Sequence, residues 1–147
     1  EPLSRLKEVD FVVVKGDKRP GEIAMNLVPL GVVNMGIPDD ACSLDYFKGQ
    51  TVHAVAGIGN PFSFFKELRK AGIELIEHSF TDHYNFQMQD LFFFDNLPII
   101  MTEKDAVKCQ KFIKGNKDNF WYVPMKTQIE DNFIKGVLEK LPKKGKL

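Results

Sequence analysis

Between Thr51 and Phe65 the hydrophobic pattern changes character. Val52 to Val55 is a short apolar run closed by Gly57 and Gly59, which predicts a strand buried in a sheet. Helical spacing follows. Phe64, Phe65 and Leu68 share one stripe of a helix predicted from Pro61 to Ala71. Asn60 is placed to cap its first turn, Pro61 suits the first helical position, and Gly72 suits the turn that ends it. Strand, glycine turn and helix make one βα unit, and in such sheets ligands gather at the carboxyl ends of the strands.

The rest of the chain reads outward from that unit. Pro2 to Val9 predicts a short helix, Phe11 to Val14 a buried strand, Gly16 to Gly21 a loop, and Glu22 to Val28 a half-exposed strand by alternation. Val32 to Met35 is a further short strand. Pro38 to Gly49 is a connection with one helical turn at Leu44 to Phe47. Ile73 to Ile76 predicts a strand running into the polar stretch His78 to Asn85. Phe86 to Phe94 predicts a helix with Met88, Leu91 and Phe92 inward, and Leu97 to Met101 a buried strand. Thr102 and Asp105 fit a capping box for a helix reaching about Phe112. Gly115 to Asn119 is a turn and Phe120 to Val123 the last strand. Ile129, Phe133, Val137 and Leu141 recur every four residues, so a closing amphipathic helix is expected, with Lys143 to Leu147 frayed. From Thr51 onward the order βαβαβαβα predicts an α/β fold: a largely parallel, Rossmann-like sheet with helices on both faces, in three layers.

Composition narrows the function classes. At 147 residues, 44% of them hydrophobic, the chain fits one globular domain. Twenty basic and twenty acidic residues cancel, which leaves no general electrostatic drive toward nucleic acid. Cys42 and Cys109 have no metal or CxxC spacing and read as reduced, half-buried thiols. No apolar run is long enough to span a bilayer as a helix. The chain opens on Glu1-Pro2 without an initiator Met, and we expect an excised piece of a longer protein.

Several stretches could carry chemistry, each with a plainer explanation beside it. Gly57 to Pro61 could offer backbone N–H groups to a phosphate, but it lacks the third glycine of a dinucleotide fingerprint and the Gly-Lys-Ser/Thr of a phosphate loop. A tight βα turn accounts for it without a ligand. Thr81-Asp82-His83-Tyr84 follows a predicted strand, and a histidine beside a carboxylate can act as general base, or merely bond a loop. Thr102 to Asp105 also follows a predicted strand and its charges could contact a ligand, though capping explains it without one, and Cys109 is explained by packing. Leu91 to Phe94 is either core or a surface for acyl chains or a membrane interface. His53 reads as a satisfied core or edge histidine.

Taken in order, EPLSRL, HAVAGIGNPFSFF, FTDHYNF, LPIIMTEKDAVKC and FWYVP resemble the C-terminal half of the tetraacyldisaccharide 4′-kinase family, the lipid A 4′-kinases of Gram-negative bacteria. The likeness runs from Glu1 to about Leu141. It implies transfer of the ATP γ-phosphate, with Mg2+, to the 4′-hydroxyl of a tetraacylated glucosamine disaccharide 1-phosphate. The expected location is the cytoplasmic face of the inner membrane. It implies that residues 1–147 are the C-terminal α/β domain of a larger kinase, whose phosphate loop, Mg2+ ligands and membrane anchor lie in an absent N-terminal half. The expected partners are therefore the acylated disaccharide lipid, a membrane surface and that missing half, with no ATP or metal site in this chain and no nucleic acid. The resemblance places the family's catalytic histidine on His83, beside Asp82. It maps an acidic residue near the active site onto Glu1, and we assign Gly59 and Asn60 to the acceptor. Where family members often carry a second histidine, this chain has Tyr84. The fragment alone is expected to be inactive. A stand-alone domain that holds a nucleotide or sugar phosphate without turnover is the alternative, and a structural domain covering an apolar groove is a third reading.

Overall fold

A computed structural model describes residues 12–15, 22–37, 39–113, 119–129 and 131–141. The elements predicted at Pro2 to Val9, the loop from Gly16 to Gly21, Glu1, most of the Gly115 to Asn119 turn and the frayed tail lie outside the described residues. Nine strands are described: β1 (Val12–Lys15), β2 (Glu22–Pro29), β3 (Val32–Asn34), β4 (Ala41–Cys42), β5 (Thr51–Ala56), β6 (Glu74–Ser79), β7 (Ile99–Thr102), β8 (Phe120–Val123) and β9 (Met125–Ile129). Three α-helices accompany them: α1 (Pro61–Lys70), α2 (Glu103–Cys109) and α3 (Asp131–Lys140). The chain divides into two units. One holds residues 1–28 and 126–147, and the other residues 29–125.

The first unit contributes a three-stranded sheet in the order β1-β2-β9, with β1 and β2 parallel. Residue Ile129, expected in the closing helix, belongs to β9 instead, and α3 begins at Asp131. Val137 of α3 is half-buried and Leu141 is exposed. Strand β9 escaped the sequence pattern because its middle residues, Lys126 to Gln128, are all polar and exposed.

The second unit is built on a six-stranded sheet, β4-β3-β8-β7-β5-β6. Four neighbours, β8, β7, β5 and β6, run parallel, while β3 pairs antiparallel with both β8 and β4. Side-chain alternation along the strands feeds two cores, one per face. Val52, Ala54, Ala56, Ile100, Trp121 and Val123 pack with Phe64, Phe65 and Leu68 of α1. Val55, Ile99, Met101 and Phe120 pack with Ala106 and Cys109 of α2 on the other face. Helices on both faces of a mostly parallel sheet are the expected α/β arrangement. The ends of this unit meet: the Leu30 N–H donates to the Pro124 carbonyl at 2.9 Å.

Local chemistry sets the boundaries of α1. The Asn60 side chain accepts from the Ser63 N–H at 3.4 Å, and Pro61 opens the helix. At its other end Gly72 takes φ +81°, a left-handed conformation that favours glycine. Gly72 N–H then bonds the Arg69 carbonyl and Ile73 N–H the Leu68 carbonyl, closing a Schellman turn whose buried Ile73 packs into the core. Strand β6 follows and runs to Ser79, beyond the predicted Ile76, because it pairs with β5 along its full length.

The helix predicted over Phe86 to Phe94 is not formed. A single 3-10 turn at Met88–Leu91 replaces it. The Asp90 carboxylate accepts the Gln87 N–H at 2.7 Å and stops the turn from extending backward, while Pro98 holds Leu97 away from helical geometry. Leu91 is buried as expected, but Met88 and Phe92 face outward at 61% and 64% exposure, and Phe94 is 96% exposed. So the unit reads βαβ, an irregular crossover, then βαβ, rather than four regular repeats.

Candidate functional site

Strands β5, β6 and β7 are parallel, so the loops after them emerge at one edge of the sheet. From β5 the chain crosses through α1 to β6 on one side, and from β7 it crosses through α2 to β8 on the other. Adjacent strands whose crossovers diverge leave a crevice between their carboxyl ends, the usual ligand position in an open α/β sheet. Here that crevice lies between Gly57–Asn60 and Thr102–Asp105.

Its floor is a buried carboxylate. Asp105 is fully buried. Its Oδ2 accepts the Gly57 N–H at 2.8 Å and the Thr102 hydroxyl at 2.7 Å, and Thr102 Oγ1 accepts the Asp105 N–H at 3.1 Å. Thr102 therefore caps α2 as expected, but the reciprocal half of the capping box is replaced: the Asp105 carboxylate takes the Thr102 hydroxyl and reaches across to the glycine turn. Asp105 Oδ1 has no hydrogen-bond partner among the described residues. Gly57 is needed for close approach. A Cβ there would meet the Phe86 ring at 3.1 Å and Asp105 Oδ1 at 3.2 Å.

The rim carries the polar side chains singled out from sequence. The loop after β6 is tied down by the Phe80 N–H, which donates to the Ala56 carbonyl at 2.8 Å. Beneath it Phe80, Tyr84 and Phe86 form a mutual ring cluster with centroids 4.7 to 5.1 Å apart. Tyr84 is thus turned into packing, with its hydroxyl donating to Asp90 at 3.3 Å. Desolvation, then that hydrogen bond, raises the Tyr84 pKa above the usual phenol value. Anchored this way, the loop lifts Asp82 and His83 beside Gly59, and Asp82 Oδ2 lies 3.5 Å from where a Gly59 Cβ would stand. Asp82 Oδ1 accepts the His83 N–H at 3.0 Å, and Oδ2 lies 3.7 Å from His83 Nε2. His83 adopts φ +59°, an uncommon conformation outside glycine in which histidine is enriched. Its side chain is 77% exposed. Lys104 Nζ, from the first turn of α2, lies 4.0 Å from Asp82 Oδ1.

The structure therefore brings Gly59, Asp82 and His83 to one edge, with Asn60 beside them as the cap of α1. The sequence allowed the charges of Thr102 to Asp105 a ligand contact but singled out no residue among them, since nothing in the spacing shows that the 82 and 104 loops meet. It also missed a second polar group. His53, buried in β5, places Nε2 3.0 Å from both Asp95 oxygens and Nδ1 2.9 Å from His78 Nε2. Phe93 stacks on both imidazoles. His53 is thus a satisfied core histidine, as expected, but through partners 25 and 42 residues away.

Cys109 is no nucleophile. Burial, then the nearby Asp105, pushes its thiol up to about 12. Both cysteines are free thiols, Cys42 half-buried and Cys109 buried. No group of three or more His, Cys, Asp or Glu side chains among the described residues could hold a metal ion, so nothing here assigns a Mg2+ ligand. No described helix is long and apolar enough to cross a membrane.

Fold and site together define an open α/β domain whose polar residues converge beyond the carboxyl ends of its parallel strands. Residues 1–142 match the family model described as tetraacyldisaccharide-1-P 4′-kinase, and the chain belongs to that family. It is 43% identical over 141 residues to the tetraacyldisaccharide 4′-kinase of Ruthia magnifica, covering 96% of this chain and 44% of that protein. It is 44% identical over 148 residues to the one from Nitrosococcus oceani, covering 99% and 42%. The chain thus spans less than half the length of these relatives. Its fold is similar to a crystal structure of LpxK from Aquifex aeolicus, described as an apo form in complex with ATP. The TM-score is 0.58 at 23% identity, over 95% of this chain and 44% of that one.

Proposed function

We propose that this chain is the C-terminal α/β part of an ATP-dependent kinase. It phosphorylates the 4′-hydroxyl of a tetraacylated glucosamine disaccharide 1-phosphate, a step of lipid A synthesis. The observation that carries the reading is the family match across residues 1–142, joined to the placement of His83 and Asp82 at the sheet edge beside Gly59.

The 4′-hydroxyl is a weak nucleophile until a base takes its proton. His83 is exposed, on a tethered loop and next to a carboxylate, which suits that work. As the bond from the 4′-oxygen to the γ-phosphorus forms, the bond from that phosphorus to the ADP oxygen breaks, and the proton passes to the His83 imidazole. Asp82 orients the His83 backbone and sits close enough to steady an imidazolium. Gly59 and Asn60 border the acceptor, and Glu1, which lies outside the described residues, is the third acceptor residue of this reading. ATP and Mg2+ are held by the remainder of the same polypeptide, because this sequence has no phosphate loop. The partners are the acylated disaccharide and the membrane surface that delivers it, at the cytoplasmic face of the inner membrane. This chain by itself transfers no phosphate.

The test uses the full-length kinase. His83→Ala lowers kcat by roughly 10²- to 10⁴-fold, the usual worth of a positioned general base, with ATP affinity and melting temperature little changed. Wild-type kcat in that variant removes His83 from the mechanism.

A further inference from the structure

Lys104 brings a cation to this edge, 4.0 Å from Asp82 Oδ1. It is the second residue of α2, in the turn where the helix dipole favours acidic side chains and opposes a cation. Glu103 and Asp105 on either side satisfy that preference, and Thr102 supplies the cap, so capping requires nothing of Lys104. Its pairing with Asp82 is loose. At 4.0 Å the contact is beyond hydrogen-bond distance, and both side chains are about half exposed. Such a pair adds little to stability. What it does is hold an ammonium over the crevice between the β5 and β7 loops, next to Gly59 and the His83 loop.

We propose that Lys104 binds a phosphoryl group in this crevice, leaving Asp82 to do so. The inference rests on the kinase reading above and names a group of that same site. An ammonium on a flexible stem suits a phosphoryl oxygen as a point charge, and Asp82 holds it near the site until the dianion arrives. The exchange also frees the Asp82 carboxylate, 3.7 Å from His83 Nε2, to face a forming imidazolium. Two phosphoryl groups have this chemistry: the one transferred from ATP, and the 1-phosphate the acceptor already carries.

The experiment compares Lys104→Met and Lys104→Arg with wild type in the full-length kinase, measuring kcat, acceptor KM and melting temperature. Lys104→Met is expected to lose roughly 10- to 100-fold in kcat/KM, the scale of one charge-assisted hydrogen bond, with an unchanged melting temperature and partial recovery in Lys104→Arg. A loss confined to kcat at saturating acceptor identifies the transferred phosphoryl. A loss confined to acceptor KM, and absent with an acceptor that lacks the 1-phosphate, identifies the acceptor's own group. Wild-type kinetics in Lys104→Met overturns the proposal, as does a loss matched by a lower folded fraction. If His83→Ala is crippled while Lys104→Met is not, Lys104 alone falls. If the wild-type kinase transfers nothing to the acceptor, the kinase reading falls. Lys104 is then decided by titrating inorganic pyrophosphate into the same protein. Amide shifts at Gly59 and His83 that vanish in Lys104→Met support it, and shifts that persist overturn it.

Discussion

Replacing Asp105 separates the structural floor of the crevice from its rim. In Asp105→Ala the buried Gly57 N–H loses its 2.8 Å acceptor and the Thr102 hydroxyl its 2.7 Å one. An unsatisfied buried donor costs about 1–3 kcal/mol. The hydroxyl can turn and costs less, and the vacated carboxyl volume adds to the loss. Against these stands the relief of burying a carboxylate whose Oδ1 is unpaired. The net is a destabilisation of about 3 kcal/mol, or a fall of roughly 10 °C in melting temperature for a chain of this size. Asp105→Asn makes the sharper comparison. Its amide oxygen can keep both bonds, and its amino group takes the place of the oxygen that had no partner, so the loss is about 1 kcal/mol. Thermal and urea unfolding of this chain, followed by circular dichroism, measures both. If the alanine variant is no worse than the asparagine variant, the latch between α2 and the glycine turn contributes nothing to the fold.

Asn60→Ala should cost about 1 kcal/mol or somewhat less, since its cap bond to Ser63 is long, and an unchanged urea midpoint would contradict capping. His83→Gly should leave stability unchanged or raise it by up to about 1 kcal/mol, because glycine accepts φ +59° without strain; a drop would mean that the imidazole holds the loop. Desolvation, then His53, lowers the His78 pKa below 6.5, with Asp95 opposing. On acidification the unfolded chain therefore takes up that proton first, so stability is full above about pH 7 and falls as the pH drops through 6.5 toward the lowered folded value. His78→Ala should flatten melting temperatures measured between about pH 7 and pH 5, and an unaltered slope would refute the assignment. Cys109 should resist thiol reagents at neutral pH until the chain unfolds, as labelling with and without denaturant will show.

The elements legible in the sequence were those whose hydrophobic period matches their burial. Strand β5, helix α1 with its cap and stop, and the Thr102 cap all declare themselves through residues within four positions of one another. The region from Phe86 to Phe94 misled because three successive phenylalanines satisfy any period. What divided them was long-range: Phe93 stacks on His53 and His78, leaving Phe92 and Phe94 to face solvent. Strand β9 was hidden by its polar middle, since backbone pairing rather than burial makes it a strand. At the candidate site the loop positions of Gly59, Asp82 and His83 followed from strand order alone. Their proximity to Lys104, and the bond from Asp105 to Gly57, depend on which strands are neighbours, which no local pattern records.

The meeting of Leu30 and Pro124 has a practical side. Residues 29–125 leave and rejoin the rest of the chain at adjacent points, so the stretch is an insert with both ends on one doorstep. Bridging such ends takes a linker of a few residues and adds little closure entropy. The six-stranded unit can therefore be lifted out as a cassette, or closed on itself and reopened at the irregular crossover before β7. Neither operation breaks a pairing in its sheet. Evolution has the same freedom: whatever the chain carries outside residues 29–125 can be exchanged without rethreading the strands that hold the crevice.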